Sequence, residues 1–262
     1  MNIIIENLMA MSCEGAFGTR RQIKPMSEFK WNVLYKIATI EDVAPFIGKA
    51  LTTHEDDLYA NVPPMTKDLL VNATFNGKDN LNANFDIEDI DRQNLSYALK
   101  RYTLKDIAYK ERHSIDTSKT TLDLLAVILQ NANLILRKGI RLRGIIELGL
   151  FLRTKGQLVD FVKLESWIDK LKLKKMARLE ASVLIQMFGF ERDEFPYIRK
   201  TVDEAGKLTE ESLRRVVKAN KLDRATSKYN IRNCITFYRY SHSEAICKAT
   251  STIVRSLSEI EE

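Results

Sequence analysis

Residues 122–138, LDLLAVILQNANLILRK, and the run that follows, 139–156, GIRLRGIIELGLFLRTKG, decide the fold. Leu122, Leu125, Val127, Ile128, Leu129, Leu134 and Leu136 leave little of the first run polar, which predicts a helix buried on several sides. Thr120 with Asp123 reads as a capping box ahead of it, and Gly139 predicts its end in the left-handed conformation. Leu142, Ile145, Ile146, Leu148, Leu150, Phe151 and Leu152 predict a second buried helix, so the two form a central pair. Arg141, Arg143 and Glu147 stand near the start of that second helix. Arg143 and Glu147 are four residues apart, a spacing that brings them together on one helix face as an ion pair. The functional alternative makes Arg141 and Arg143 ligand-binding arginines.

Working outward, 262 residues at 45% hydrophobic and 29% charged can bury an ordinary core and do not match the composition of a disordered chain. Ten glycines and five prolines are few, and the long Leu/Lys/Glu/Arg-rich stretches between them favour helices. The expected fold class is all-α, a multi-helix bundle around the buried central pair. Residues 75–85, FNGKDNLNANF, read as a loop between a helical region at 1–80 and a central and C-terminal bundle at 81–262.

On the N-terminal side, 1–25 reads as an apolar start followed by a loop carrying Gly15, Gly18 and Pro25. Ser27 predicts an N-cap for a helix with Trp31, Leu34 and Ala38 on its inner face. Glu41 and Asp42 are expected to open the next helix, and Pro63-Pro64 to start another running to about Thr74. The stretch from Ile87 to Ile107 reads as helical with a bend near Thr103. On the C-terminal side, Asp160 precedes a short amphipathic helix containing Trp167, and a further helix ends at Gly189. Thr209 followed by Glu210 and Glu211 reads as a helix start. The last element, from Ser227 to Ile260, is one helix or two.

Cys13, Cys234 and Cys247 show no CxxC or Cys/His spacing, so neither a disulfide framework nor a zinc site is expected, and a reducing, cytoplasmic setting fits. The N-terminus lacks a basic lead-in for export, and no window is long and apolar enough for a transmembrane helix. Of the net charge of +6, the basic share gathers between Arg137 and Arg178, and the acidic residues between Glu41 and Asp91. Lys163, Lys170, Lys172, Lys174 and Lys175 read as solvated helix faces. Nucleic acid is therefore not the expected partner, and a phosphate-bearing partner is the functional alternative. His54, His113 and His242 are isolated and mark no base.

Three stretches carry a family resemblance. WNVLYKIAT from Trp31, VPPMTKDLL from Val62 and GIRLRGIIELGLF from Gly139 are similar, in that order, to helical segments of the uncharacterised bacterial nucleotidyltransferase-like proteins. Arg143 stands at the arginine of that family's Gly-Ile-Gly-Leu-Arg motif, Arg141 replaces its second glycine, and Glu147 its usual aspartate. The resemblance implies helices flanking a nucleotidyltransferase core, but the chain between Pro64 and Thr120 is too short to contain that core. None of the glycines is followed by the Gly or Ser that the core's triphosphate-binding turn needs. Two functions follow as expectations. One is a non-enzymatic helical relative without the catalytic core, with no cofactor, serving as a module for a protein partner. The other is a reduced, metal-dependent nucleotidyltransferase or nucleotide binder in which Asp86, Asp89 and Asp91 hold Mg2+.

Overall fold

The computed structural model describes residues 2–53, 61–76, 95–218 and 227–258. Among them the fold is all-α, with twelve α-helices and no strand. None of these helices is long and apolar enough to cross a membrane. Contacts group the chain into two compact units, Met1–Asn82 with Glu210–Ala219, and Ala83–Thr209 with Asn220–Glu262.

The first unit holds α1 (Ile3–Phe17), α2 (Glu28–Ile40), α3 (Ala44–Thr53) and α4 (Pro64–Asn76). The start of α2 after Ser27 and of α4 at Pro64 follows the sequence expectation. In contrast, α1 runs through Gly15, which had read as loop. A Cβ at Gly15 would fall 1.8 Å from the Phe46 carbonyl oxygen of α3, and one at Gly48 of α3 would fall 2.2 Å from the Leu70 oxygen of α4. Both glycines are contact residues that let helix backbones approach. Two asparagines hold the connection into α2 by copying backbone pairing. Asn7 accepts from the Lys24 amide and donates to its carbonyl, at 3.0 and 2.7 Å, and Asn61 does the same for Met26 at 3.0 and 2.9 Å. Glu41 and Asp42 close α2 and do not open α3. Asp42 is left-handed at φ 56°, and the Val43 amide reaches back to the Ala38 carbonyl at 2.9 Å, a Schellman ending.

In the second unit, α5 (Ala98–Arg112) passes straight through Thr103, and α6 (Lys119–Lys138) is the hub. It packs on α7 (Leu142–Lys155), α8 (Phe161–Lys170), α9 (Lys174–Val183), α11 (Ser227–Thr236) and α12 (His242–Ser258). Its start corrects the capping-box reading: Thr120 lies inside the helix, and the Glu111 carboxylate accepts from the Ser118 amide at 2.7 Å. Gly139 does end it, but at φ 84°, ψ −179°, an extended mirror conformation, where a left-handed one had been expected. Two of the carbonyls orphaned at that end are met by α11: Asn233 Nδ2 donates to the Arg137 oxygen at 3.1 Å and Cys234 Sγ to the Leu136 oxygen at 3.3 Å. Where α6 crosses α7, Asn131 Nδ2 donates to the Gly144 carbonyl at 2.9 Å, and its Oδ1 lies 2.1 Å from where a Cβ at 144 would be.

Trp167 of α8 is buried, while Phe151 of α7 is only half-buried. α9 continues as a π-helical turn, Leu184–Phe188, and ends at Gly189. α10 (Ala205–Lys218) starts a turn before the expected point. Thr209 sits inside it, its hydroxyl donating to the Ala205 carbonyl at 2.9 Å, so Glu210 and Glu211 are not in the first turn. The last stretch is two helices, α11 and α12, divided by the 3-10 turn Tyr238–Tyr240.

Candidate functional site

The turn between α8 and α9 begins one side of a cleft. Lys172 is left-handed at φ 51°, with its amide bonded to the Asp169 carbonyl at 2.9 Å and the next amide, of Leu173, to the Ile168 carbonyl at 2.9 Å. This is a second Schellman ending, with lysine at the position that glycine fills without strain. From there α9 carries Lys174, Lys175 and Arg178. The facing side comes from Tyr97, at the N-cap position of α5, and from Arg239 to Ser243, which join the 3-10 turn to α12. Together these residues line a cleft of about 540 Å³ within the second unit.

The charges in the cleft divide into matched and unmatched. Lys174 is 3.0 Å from Asp169 and 3.6 Å from Glu165, and Arg239 pairs with Glu204. Glu204 also accepts from the Tyr240 hydroxyl at 2.6 Å; that hydrogen bond, followed by the Arg239 charge, outweighs partial burial and holds its carboxyl below the usual range. Burial, followed by the bond to Glu204, pushes the Tyr240 phenol up to about 12. Lys172, Lys175 and Arg178 have no side-chain hydrogen bond or ion pair among the described residues. Three cations round one concavity repel one another, and the concavity concentrates their field. Lys100 of α5, only 4% exposed, donates from its ammonium to the Oγ of cleft-lining Ser241 at 3.3 Å. Burial depresses its amine, and the Glu244 carboxylate opposes that shift. Glu244 is itself held by the amides of Ser96 and Tyr97, at 2.8 and 3.1 Å.

The arginines singled out from sequence lie elsewhere. Arg141 stands at the N-cap position of α7, and Arg143 Nε donates to Glu147 Oε1 at 2.6 Å, the two side chains 19% and 29% exposed. Asp86, Asp89, Asp91 and His54 lie outside the described residues. Among the described residues no group of three or more His, Cys, Asp or Glu side chains is placed to hold a metal ion. His113 ends α5, with Nδ1 2.7 Å from the Tyr109 carbonyl. Of the lysines read as solvated faces, Lys170, Lys172 and Lys175 are exposed, and Lys172 and Lys175 line the cleft with the half-buried Lys174, while Lys163 is half-buried and meets Glu111 at 3.1 Å. Sequence reasoning missed Tyr97, Lys100, Arg178, Arg239, Ser241, His242 and Ser243 as members of one site, because they come from three separated stretches. The nearest signal was the density of Lys and Arg from 172 to 178.

A further buried acid, Glu180 of α9, is fully enclosed, and neither carboxyl oxygen has a well-formed hydrogen bond. Burial pushes its pKa well above the usual value and so favours the neutral carboxyl, opposed only by the Asn131 side chain. No family model, no curated protein and no solved structure matches this chain.

Proposed function

We propose that this chain is a non-enzymatic helical binding protein whose cationic cleft holds a small, phosphate-bearing polyanion. The observation that supports the reading is the gathering of Lys172, Lys175 and Arg178 round one cleft without an acidic partner among the described residues. A fold gains nothing from holding like charges together unless a ligand supplies the counter-charge. Lys172 adds weight, since a lysine in a left-handed turn is costlier than glycine, and strain of that kind gathers at binding sites. A small ligand fits better than nucleic acid, because a bounded cleft of this volume lies in the range of small-molecule sites, whereas a nucleic-acid backbone needs an extended basic stripe. Kinship with the nucleotidyltransferase-like proteins, without their core, rests on the order of the three motifs and belongs to the same proposal.

The test is a calorimetric titration of the full chain with inorganic tripolyphosphate at low ionic strength. Expected is binding that weakens as salt rises and falls about tenfold in Lys175→Ala or Arg178→Ala, the size of one charge-assisted contact. No heat with the native chain, or equal affinity in both variants, overturns the reading. Binding of nucleoside triphosphates that appears only with Mg2+ would favour the metal-dependent alternative at Asp86, Asp89 and Asp91.

A further inference from the structure

We infer that the α12 end of the cleft is a subsite for a terminal, dianionic phosphate group, and that Lys100, whose ammonium bonds Ser241 there, is a ligand-contacting residue; this rests on the cleft being an anion site. α12 is seventeen residues long, and its first intrahelical bond is from the Ala245 amide to the Ser241 carbonyl at 2.9 Å. The amides of His242, Ser243 and Glu244, one turn of positive dipole, therefore have no acceptor within the helix, and none among the described residues replaces it.

The groups that normally close such an end are engaged elsewhere. Ser241, in the cap position, uses its hydroxyl to accept from Lys100. Glu244, the first-turn acid, turns its carboxylate to the Ser96 and Tyr97 amides at the start of α5. Ser243 lines the cleft with its hydroxyl unengaged among the described residues.

The second observation is a buried side chain on another element, α5. Lys100 is 4% exposed, and its ammonium has one hydrogen bond, a long one of 3.3 Å to a cleft-lining side chain. Two of its three donors have no acceptor among the described residues, a costly state for a buried cation. A terminal phosphate brings three acceptor oxygens and two negative charges, enough to meet the Lys100 ammonium, the Ser243 hydroxyl and the amides of α12 together. A phosphodiester in mid-chain brings two free oxygens and one charge, and leaves part of that set unmet. The lysines and arginine on the facing side then take the rest of the ligand.

The experiment compares linear tripolyphosphate with cyclic trimetaphosphate, which has the same number of phosphorus atoms and no terminal group, on two variants of one residue. His242→Ala removes the imidazole and keeps the amide. His242→Pro removes both, at a first helical position where proline is tolerated and after Ser241, which is already extended at φ −157°, ψ 81°. Expected is binding of the linear ion about tenfold weaker in His242→Pro than in His242→Ala, with the cyclic ion bound alike by both. Lys100→Met supplies a second readout. Burial depresses the Lys100 amine, with Glu244 and Cys247 opposing that shift and Lys172 adding to it. Binding of the linear ion at alkaline pH should therefore draw in a proton, measured in buffers of different ionisation enthalpy, and Lys100→Met should abolish the uptake. If neither ion binds the native chain, the cleft reading itself fails. If both ions bind but the two His242 variants hold the linear ion equally and proton uptake is absent, the cleft reading stands and the α12 subsite is overturned.

Discussion

Two groups of charges in the second unit have opposite designs. On α7, Arg143 and Glu147 meet at 2.6 Å and shield each other on a half-buried face. Round the cleft, Lys172, Lys175 and Arg178 stand without acidic partners among the described residues. The first group is complete within the fold, and the second is completed by what binds. Removing a charge from the pair should cost stability, whereas removing one from the cleft should cost binding and leave stability the same or higher.

The largest expected effect sets the scale for a fully packed position. Trp167 of α8 is buried in the unit built round α6. Trp167→Ala should destabilise the chain by about 3–5 kcal/mol in denaturant unfolding, and a loss under about 1 kcal/mol would mean that the α6–α8 contact is wrongly placed. Next comes the pair. Glu147→Gln and Arg143→Met should each cost about 1–2 kcal/mol, and the double variant less than their sum. Simple additivity would show that the residues are uncoupled and erase the contrast with the cleft.

Glu180 sharpens the comparison from a third side, as an acid matched by neither partner nor solvent. Its folded pKa is raised above the ordinary 4.5, so its contribution to stability is fully present below about that pH. The contribution is lost as pH rises through the folded value. Stability of the native chain should accordingly fall as pH rises from acid to neutral, and Glu180→Gln should flatten that part of the profile. An unchanged profile would place the carboxyl in contact with water.

The sequence carried the helices wherever a local signal matched the long-range contact. Ser27 and Pro64 mark real starts, Gly139 a real end, and the apolar run from Leu122 the true hub. It misled where a residue chosen for distant packing resembles a local signal. Gly15 looks like a loop residue, yet it is in α1 because Phe46 leaves no room for a Cβ. Thr209 with Glu210 and Glu211 looks like a helix start, yet α10 begins at Ala205. The cleft was legible only as a density of lysines, since the left-handed turn at Lys172 and the approach of Tyr97 and Ser241 to it depend on contacts between distant segments. Nothing local marks Lys100 as buried, for it sits in α5 among lysines and arginines that face solvent.

The central claim, that the unmatched cations serve a ligand and not the fold, is tested most directly at Lys172. Glycine fits its left-handed backbone without strain, so Lys172→Gly should make the ligand-free chain more stable by about 1 kcal/mol. Thermal unfolding of the native and variant chains, each with and without saturating tripolyphosphate, reads both roles at once. The account predicts that the variant melts higher alone and that the anion raises the native chain by more, narrowing or reversing the gap. A variant less stable than the native chain without ligand, or an equal gain from the anion in both, would contradict it.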